Sequence, residues 1–209
     1  MSRYFPINLS LHGCECLVVG GGPVACRKAR AALACEAHVT VVSPAFSPQV
    51  AQLEGVRLVQ RGFVEDDVEG ATLVFAASSD PDVNRLVARA GRRRGVLVNV
   101  ADTPEQCDFI LPATVARGSL VISFSTGGAA PALARRLRRQ FEQQVPQDYA
   151  RYVALLGQLR PRVLEQVADP AARRDIFRQL ADEPAYQLFA EQGAEALRAL
   201  ARRLVAEAP

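Results

Sequence analysis

The stretch that decides the fold is ECLVVGGGPVACRKARAALAC, residues 15–35. Its first five residues, Glu15 to Val19, are mostly apolar and predict a short strand. Three glycines and a proline follow. Small or apolar residues then recur at helical spacing: Val24, Ala25, Ala29 and Leu33. HVTVV at 38–42 supplies a second strand. A strand, a glycine turn, a helix and a second strand make a β-α-β unit, and the span of about 30 residues suits a right-handed crossover between parallel strands. Inside the turn the spacing is Gly20-x-Gly22-x-x-Ala25. The first glycine allows the tight turn, the second lets the backbone approach a pyrophosphate, and the small third residue lets the helix pack on the strand. The helix start offers free N–H groups and the positive end of a dipole to an anion. The pattern points to a dinucleotide site; a tight turn that merely needs glycine is the other reading.

Working outward, VRLVQ at 56–60 predicts a third strand and ATLVFAAS at 71–78 a fourth. Asp80-Pro81 then opens a helix, PDVNRLVARAGRRRG, with the acid as cap and the proline in the first turn; Gly95 ends it. VLVNV at 96–100 is the fifth strand. Strands alternating with helices predict an α/β fold, a Rossmann-type parallel sheet covered on both faces. After Asp102 the pattern changes. FILPATVARGSLVISFST predicts a β-hairpin turning around Ala116 to Ser119, and GGAAPALARRLRRQFEQQV predicts a helix with Pro131 near its start. From Gln147 onward the chain reads as helical, divided into short helices by Pro161, Pro170 and Pro184. The expected division is 1–113 for a dinucleotide-binding Rossmann domain, 114–146 for the hairpin/helix segment, and 147–209 for a C-terminal helical domain.

Composition excludes several classes. The 209 residues suffice for one large or two small domains with a sizeable core. No run of about 18 apolar residues exists, so no membrane span is expected, and MSRYFPINLSLHG has no signal-peptide apolar core. The expected location is the cytoplasm. A net charge of +3 is too small to argue for nucleic acid. The basic residues are nearly all arginine, with Lys28 the only lysine; this reflects general composition or carboxylate recognition. Cys14, Cys16, Cys26, Cys35 and Cys107 are expected to be free thiols, at spacings that fit no structural zinc site. The two histidines, His12 before the first strand and His38 at the start of the second, lie at the wrong end of the strands to converge with Asp102. No protein-ligated metal is expected.

Four blocks, VVGGGPVACRKA, AASSDPDVNRLV, NVADTPEQCDFILPA and ISFSTGGAAPALARRLRRQFE, together resemble the precorrin-2 dehydrogenase family, the N-terminal domain of sirohaem synthase. The match runs in order from about residue 4 to residue 146; beyond that the chain is similar only in being helical. The resemblance implies NAD-dependent oxidation of precorrin-2 to sirohydrochlorin, with ferrous-iron insertion in some members, and a homodimer whose dimerisation segment, the hairpin and helix of 114–146, follows the Rossmann domain. It implies that Asp102, after the N-V of the fifth strand, is the catalytic aspartate. It also implies that Ser125, Thr126, Gly127 and Gly128 form a substrate-binding segment. In some members a serine at the position of Thr126 is linked to regulation, and here a threonine stands there.

In open parallel sheets ligands bind outside the carboxyl ends of the strands. The candidate cofactor contacts gather there: Gly20, Gly21, Gly22, Pro23 and Val24 in the turn, Ser43 and Pro44 after the second strand, Ala77 and Ser78 after the fourth, Asn99 and Val100 in the fifth. An NAD site usually has an acid after the second strand to hold the ribose. Ser43 stands in that place here, and no arginine follows directly to favour NADP. NAD is therefore expected chiefly from the resemblance. Ser78, Ser79 and Asp80 read as a helix cap or as cofactor contacts; Asn99 as a sheet-end contact or a cofactor contact. Asp102 alone reads equally as a base or as a turn cap, since Asp-Thr-Pro is good turn chemistry. Arg92 to Arg94 read as a solvated helix end. Arg135, with Arg136, Arg138 and Arg139, could meet substrate carboxylates or face solvent. Two further readings stand beside the dehydrogenase: a bifunctional dehydrogenase and ferrochelatase, and a non-catalytic dinucleotide-sensing module.

Overall fold

The computed structural model describes residues 4–208, so the outermost ends of the expected domains, 1–3 and 209, lie outside the described residues. The chain forms two units, one ending at Leu111 and the other beginning at Pro112.

The first unit is a five-stranded parallel sheet in the order β3-β2-β1-β4-β5, with β1 at Glu15–Val19, β2 at His38–Ser43, β3 at Val56–Gln60, β4 at Leu73–Ala76 and β5 at Leu97–Val100. This is the doubly wound order with its reversal between β1 and β4, the place where such sheets open a crevice. Alternation along the strands fills two apolar layers. Cys16, Val18, Val39, Val41, Leu73 and Phe75 face α1 (Pro23–Leu33) and the short α2 (Pro48–Ala51). Leu17, Val19, Val42, Val74, Ala76, Val98 and Val100 face α3 (Pro81–Arg93), with Val87, Ala88 and Ala90. Strands that bury both faces read as continuous apolar runs, which is why CLVV of β1 shows no polar alternation; β2 keeps His38 exposed and Thr40 partly buried.

Edges are handled separately. β3 leaves Leu58 at the surface, and β5 exposes Leu97 by 41%. Beyond β5 the chain doubles back: Asp108 donates its N–H to the Val98 carbonyl at 2.8 Å and accepts the Val98 N–H on its carboxylate at 2.9 Å. A charged side chain spliced into the ladder closes an edge that would otherwise template another strand. The fourth strand is shorter than the expected 71–78, because Ser78 is drawn into the turn that starts α3.

The second unit holds a two-stranded antiparallel hairpin, β6 (Ala113–Arg117) and β7 (Leu120–Phe124), with Arg117 opposite Leu120 across a two-residue loop. Gly118 takes φ +58° there, a value a glycine adopts without steric cost. Five helices follow: α4 (Pro131–Gln144), α5 (Tyr149–Gln166), α6 (Pro170–Ala181), α7 (Glu183–Gln192) and α8 (Ala194–Ala206). Arg117 is buried and donates to the carbonyls of Glu142 and Val145, tying β6 to the end of α4. A separate core of Tyr152, Leu155, Leu159, Val163, Ile176, Leu180, Phe189 and Leu197 holds α5 to α8.

One reading of the helical region needs correction, and one division was not foreseen. Pro161 does not divide a helix; it lies inside α5. A proline there leaves the carbonyl four residues earlier unpaired and crowds it. That residue is Gly157, with open space around it, and the buried stripe Tyr152, Leu155, Leu159 and Val163 runs past the proline on one face. Packing outweighs the break. The division that the prolines do not mark is made by Gly193 at φ +83°, between α7 and α8. Pro170 and Pro184 sit in the first turns of α6 and α7 as expected.

Candidate functional site

The glycine turn sits at the reversal of strand order. A Cβ on Gly20 would lie 2.3 Å from the Ala77 carbonyl oxygen, so the turn threads against the end of β4 only because Gly20 has none; its φ is +133°. A Cβ on Gly21 would lie 1.9 Å from the Ala45 carbonyl oxygen, on the loop after β2. Gly22 differs: nothing approaches its Cβ position within 4 Å. Two glycines therefore serve the protein's own packing, and the third borders open space at the cap of α1. No side chain caps that helix, and Pro23 is its first residue. The amides of Val24 and Ala25 are left for an anion in front of the turn. The residues present fit a pyrophosphate.

The loop after β2 closes against this turn. Ser47 donates its N–H to the Gly21 carbonyl at 2.8 Å. Ser43, expected at the ribose position, is buried and donates its hydroxyl to the Ala45 carbonyl at 2.7 Å; its side chain is used first to shape the loop. Ser47 Oγ is buried with no hydrogen-bond partner, alone in this among the described residues. An orphaned hydroxyl beside a glycine turn is the kind of group that a ligand's hydroxyl satisfies. Pro44, directly after β2, is exposed.

Across the reversal, Ser78 is held by Asn84 of α3, which accepts the Ser78 N–H and donates to its carbonyl, each at 3.0 Å. Asp80 caps α3 by accepting the Asp82 N–H at 2.8 Å, as its sequence position indicates. Ala77 is buried against Gly20.

At the end of β5, Val100 is buried and Asn99 is 6% exposed, on the α1 face of the sheet. The Asn99 side chain is fully engaged. Its Oδ1 accepts from Lys28 Nζ at 2.8 Å, and its Nδ2 donates to the Phe109 carbonyl at 2.9 Å. These contacts lie at the end of the sheet. Cys107 tucks its sulfur between the N–H and carbonyl of Val100, both at 3.2 Å; burial pushes its thiol pKa up. All five cysteines are free thiols.

Asp102 stands in a different state. It is exposed, and its φ is +57°, one of two non-glycine residues with positive φ among those described. No hydrogen bond to its carboxylate is present among the described residues. The turn is held by other groups: Ala101 N–H to the Ala76 carbonyl at 2.8 Å, Thr103 Oγ1 to the Ala101 carbonyl at 3.3 Å, and Cys107 to Val100. Asp102 is thus not the cap of its turn. Its carboxylate is carried on a strained backbone and left unspent, a combination that clusters at functional sites.

Arg92 to Arg94 are not merely solvated. Arg93 and Arg94 pair with Glu65 and Asp66 at 2.6 and 2.9 Å, and Arg92 donates to the Gln106 carbonyl at 2.8 Å. They fasten the end of α3 to the connection between β3 and β4 and to the loop after β5. His12 pairs with Glu36 and His38 with Glu15, at the amino ends of the strands. No group of three His, Cys, Asp or Glu residues is placed to hold a metal ion among the described residues, and no described helix is long and apolar enough to cross a membrane.

Ser125, Thr126, Gly127, Gly128 and Arg135 belong to the second unit. Ser125 Oγ accepts the Gly127 N–H at 3.1 Å and Thr126 Oγ1 accepts the Ala130 N–H at 3.0 Å, so both hydroxyls shape the turn into α4. Gly127 and Gly128 take φ of +60° and +89°. Arg135, Arg136 and Arg139 are exposed on α4, and Arg138 pairs with Glu142 at 2.8 Å.

Sequence reading missed Lys28 as an anchor, Asn84 as the clamp on Ser78, and Cys107 and Asp108 as the closure of β5. Only Asn84 carries a signal, a polar residue where α3 turns its apolar face to the sheet.

Comparison with known proteins gives three family matches in chain order: "Putative NAD(P)-binding" over residues 7–113, "Sirohaem biosynthesis protein central" over 117–144, and "Sirohaem synthase dimerisation region" over 148–205. The chain is 41% identical over 189 residues to a siroheme synthase of Thioalkalivibrio sulfidiphilus, covering 89% of this chain and 39% of that protein. It is 40% identical over 195 residues to a siroheme synthase of Methylococcus capsulatus, covering 92% and 41%. The chain spans about two fifths of the length of these curated relatives. A solved structure named "SirC, precorrin-2 dehydrogenase" shares the fold, with a TM-score of 0.74 and 24% identity over 96% of this chain and 98% of that one. With its glycine turn at the strand-order reversal and the first match spanning 7–113, the chain belongs to the putative NAD(P)-binding family, and its remaining residues match the sirohaem central and dimerisation regions.

Proposed function

We propose that this chain is an NAD-dependent dehydrogenase that oxidises precorrin-2 to sirohydrochlorin. The observation that carries this reading is the unspent Asp102 carboxylate at the carboxyl end of β5, in a sheet whose glycine turn leaves open space at Gly22. The oxidation takes a hydride and a proton from precorrin-2 and yields sirohydrochlorin, NADH and a proton. NAD, when bound, supplies the hydride acceptor. The Gly22 backbone and the Val24 and Ala25 amides hold its pyrophosphate; the Ser47 hydroxyl and the loop at Ser43 and Pro44 serve its ribose. Asp102 accepts the proton that a nicotinamide cannot take, and a positioned base of this kind contributes ~10²–10⁴ in rate. A sensing module has no use for such a group. Ser125, Thr126, Gly127, Gly128 and Arg135 are the proposed substrate-binding residues, with the Arg135 guanidinium suited to a substrate carboxylate. The matched dimerisation region supports a homodimer.

The test is NADH formation by the purified chain. It is expected with precorrin-2 and NAD, with much slower NADPH formation when NADP is supplied instead; no NADH with precorrin-2, or a higher kcat/KM with NADP, sinks the reading. The relatives' name, siroheme synthase, favours a second activity, insertion of ferrous iron into sirohydrochlorin. The iron there is a substrate, with the tetrapyrrole nitrogens as its ligands, and an iron-insertion assay on the same protein decides it.

A further inference from the structure

Arg61 stands one residue past the end of β3, beside the loop that follows β2. The two strands run in register with Ser43 opposite Gln60, and Arg61 is the next residue. Neighbouring strands lie about 5 Å apart, so the carboxyl end of β3 borders that loop. Gln60 makes the contact itself, donating its Nε2 to the Pro44 carbonyl at 3.4 Å. The loop is in turn fastened to the glycine turn by the Ser47 N–H on the Gly21 carbonyl at 2.8 Å. A dinucleotide fold sets the adenosine ribose at this place, and a nearby arginine is what accommodates the 2′-phosphate of NADP. Residues 43–62 contain two arginines, Arg57 inside β3 and Arg61 just beyond it.

Arg61 is already engaged. Both of its terminal nitrogens bond the Asp67 carboxylate, Nη1 to Oδ2 at 2.8 Å and Nη2 to Oδ1 at 2.5 Å, and Nη1 also donates to the Gly62 carbonyl at 2.9 Å. A bidentate pair of this kind is stronger and more directional than a single contact. Asp67 is fixed independently of the arginine. Its side chain is only 10% exposed, against 45% for Arg61. Its Oδ2 also accepts the Val64 N–H at 2.9 Å, and the next residue, Val68, is fully buried in the apolar layer under α3. An ordinary surface ion pair leaves both partners in water and is worth little; here the acid is nearly buried and oriented by its own turn.

We propose that Asp67 is a specificity-determining residue for the cofactor: by engaging Arg61 it withholds from the ribose loop the guanidinium that a 2′-phosphate would need, and so favours NAD over NADP. The proposal rests on the reading that the ribose of NAD lies at Ser43 and Pro44. It supplies, from the turn before β4, the discrimination that an acid after β2 usually gives and that Ser43 does not.

The experiment is calorimetric titration of the full chain with NAD and with NADP at neutral pH, without substrate. Asp67→Asn removes the charge and keeps an acceptor for the Val64 N–H; Asp67→Ser covers the case that Asp67→Asn fails to fold. Asp67→Asn is expected to tighten the Kd for NADP roughly 10–100-fold, the scale of a charge-assisted hydrogen bond, and to leave the Kd for NAD unchanged. Arg61→Met in the same background is expected to remove that gain. Arg61→Met alone, with Asp67 in place, is expected to leave the Kd for NADP as it is in the wild type. No tightening in Asp67→Asn and Asp67→Ser overturns the proposal. Equal tightening with and without Arg61 also overturns it, since the Asp67 charge would then repel the phosphate directly. Weaker NADP binding in Arg61→Met alone overturns it as well, because Arg61 would already reach the phosphate. None of these results touches the dehydrogenase reading, which falls only if the wild type binds no dinucleotide or prefers NADP.

Discussion

Asp102 offers a perturbation whose structural and chemical effects separate. Its backbone sits at φ +57°. In that left-handed region an ordinary side chain with a Cβ costs roughly 1–2 kcal/mol, while Asp and Asn are the non-glycine residues that tolerate it best. Asp102→Asn therefore keeps both the backbone preference and the size of the side chain, and the carboxylate has no hydrogen bond to lose. Its expected effect on stability is near zero. Asp102→Ala keeps the Cβ but loses that tolerance, so about 1 kcal/mol of destabilisation is expected, or about 2–4 °C in Tm for a protein of this size. Asp102→Gly removes the steric cost but adds freedom to the unfolded chain, and the two offset. On the chemical side all three lack the base and should lose ~10²–10⁴ in kcat together. The assay is NADH absorbance in steady state, beside thermal melts and NAD titration of the same samples. Wild-type turnover by Asp102→Asn would falsify the argument. So would Asp102→Asn melting several degrees lower with weaker NAD binding, since the carboxylate would then be holding the turn after all.

The remaining expectations are brief. Gly22→Ala should melt like the wild type, because its Cβ position is open, yet bind NAD far more weakly in a fluorescence titration, because the methyl occupies the pyrophosphate's approach; Gly21→Ala should be strongly destabilised, with its Cβ 1.9 Å from a backbone oxygen. Asp67 has its pKa held below the usual carboxylate range by the hydrogen-bonded Arg61 guanidinium and then by the Val64 N–H, against the opposing effect of burial. A depressed carboxylate stabilises the fold above the unfolded-state pKa, and that stability is lost as pH falls through the folded-state value, below about pH 4. Arg61→Met should therefore move the midpoint of acid unfolding to higher pH, and an unchanged midpoint would count against the pairing. Pro161→Ala should raise Tm, since it restores a hydrogen bond to the Gly157 carbonyl and improves helix propensity without touching the buried stripe of α5.

What the sequence made legible follows from which physical terms are local. A strand that buries both faces must be apolar throughout, and a turn between a parallel strand and its helix must be glycine-rich; residues 15–43 declare both. The antiparallel hairpin is equally local, with Gly118 at the one position of positive φ. The helical region was harder because a proline's effect depends on tertiary packing: Pro161 is overridden by a buried stripe and by Gly157 behind it, whereas Gly193 breaks the chain with no proline to mark it.

The site divides along the same line. Gly20 and Gly21 are needed by the fold and Gly22 is not, a distinction that the fingerprint cannot express because it depends on where Ala77 and Ala45 return in space. Asp102 was ambiguous for a related reason. Asp-Thr-Pro forms a turn whether or not the carboxylate is used, and only the partners around it decide. Here Thr103, Cys107 and the Ala101 N–H hold the turn, and they release Asp102 from that work. Lys28 and Asn99 lie 71 residues apart, and no local pattern joins them. A lysine within a helix that reads as amphipathic is assigned to solvent by default. Only its burial against Phe75 and its bond to a strand-end asparagine show that the chain's single lysine faces the sheet.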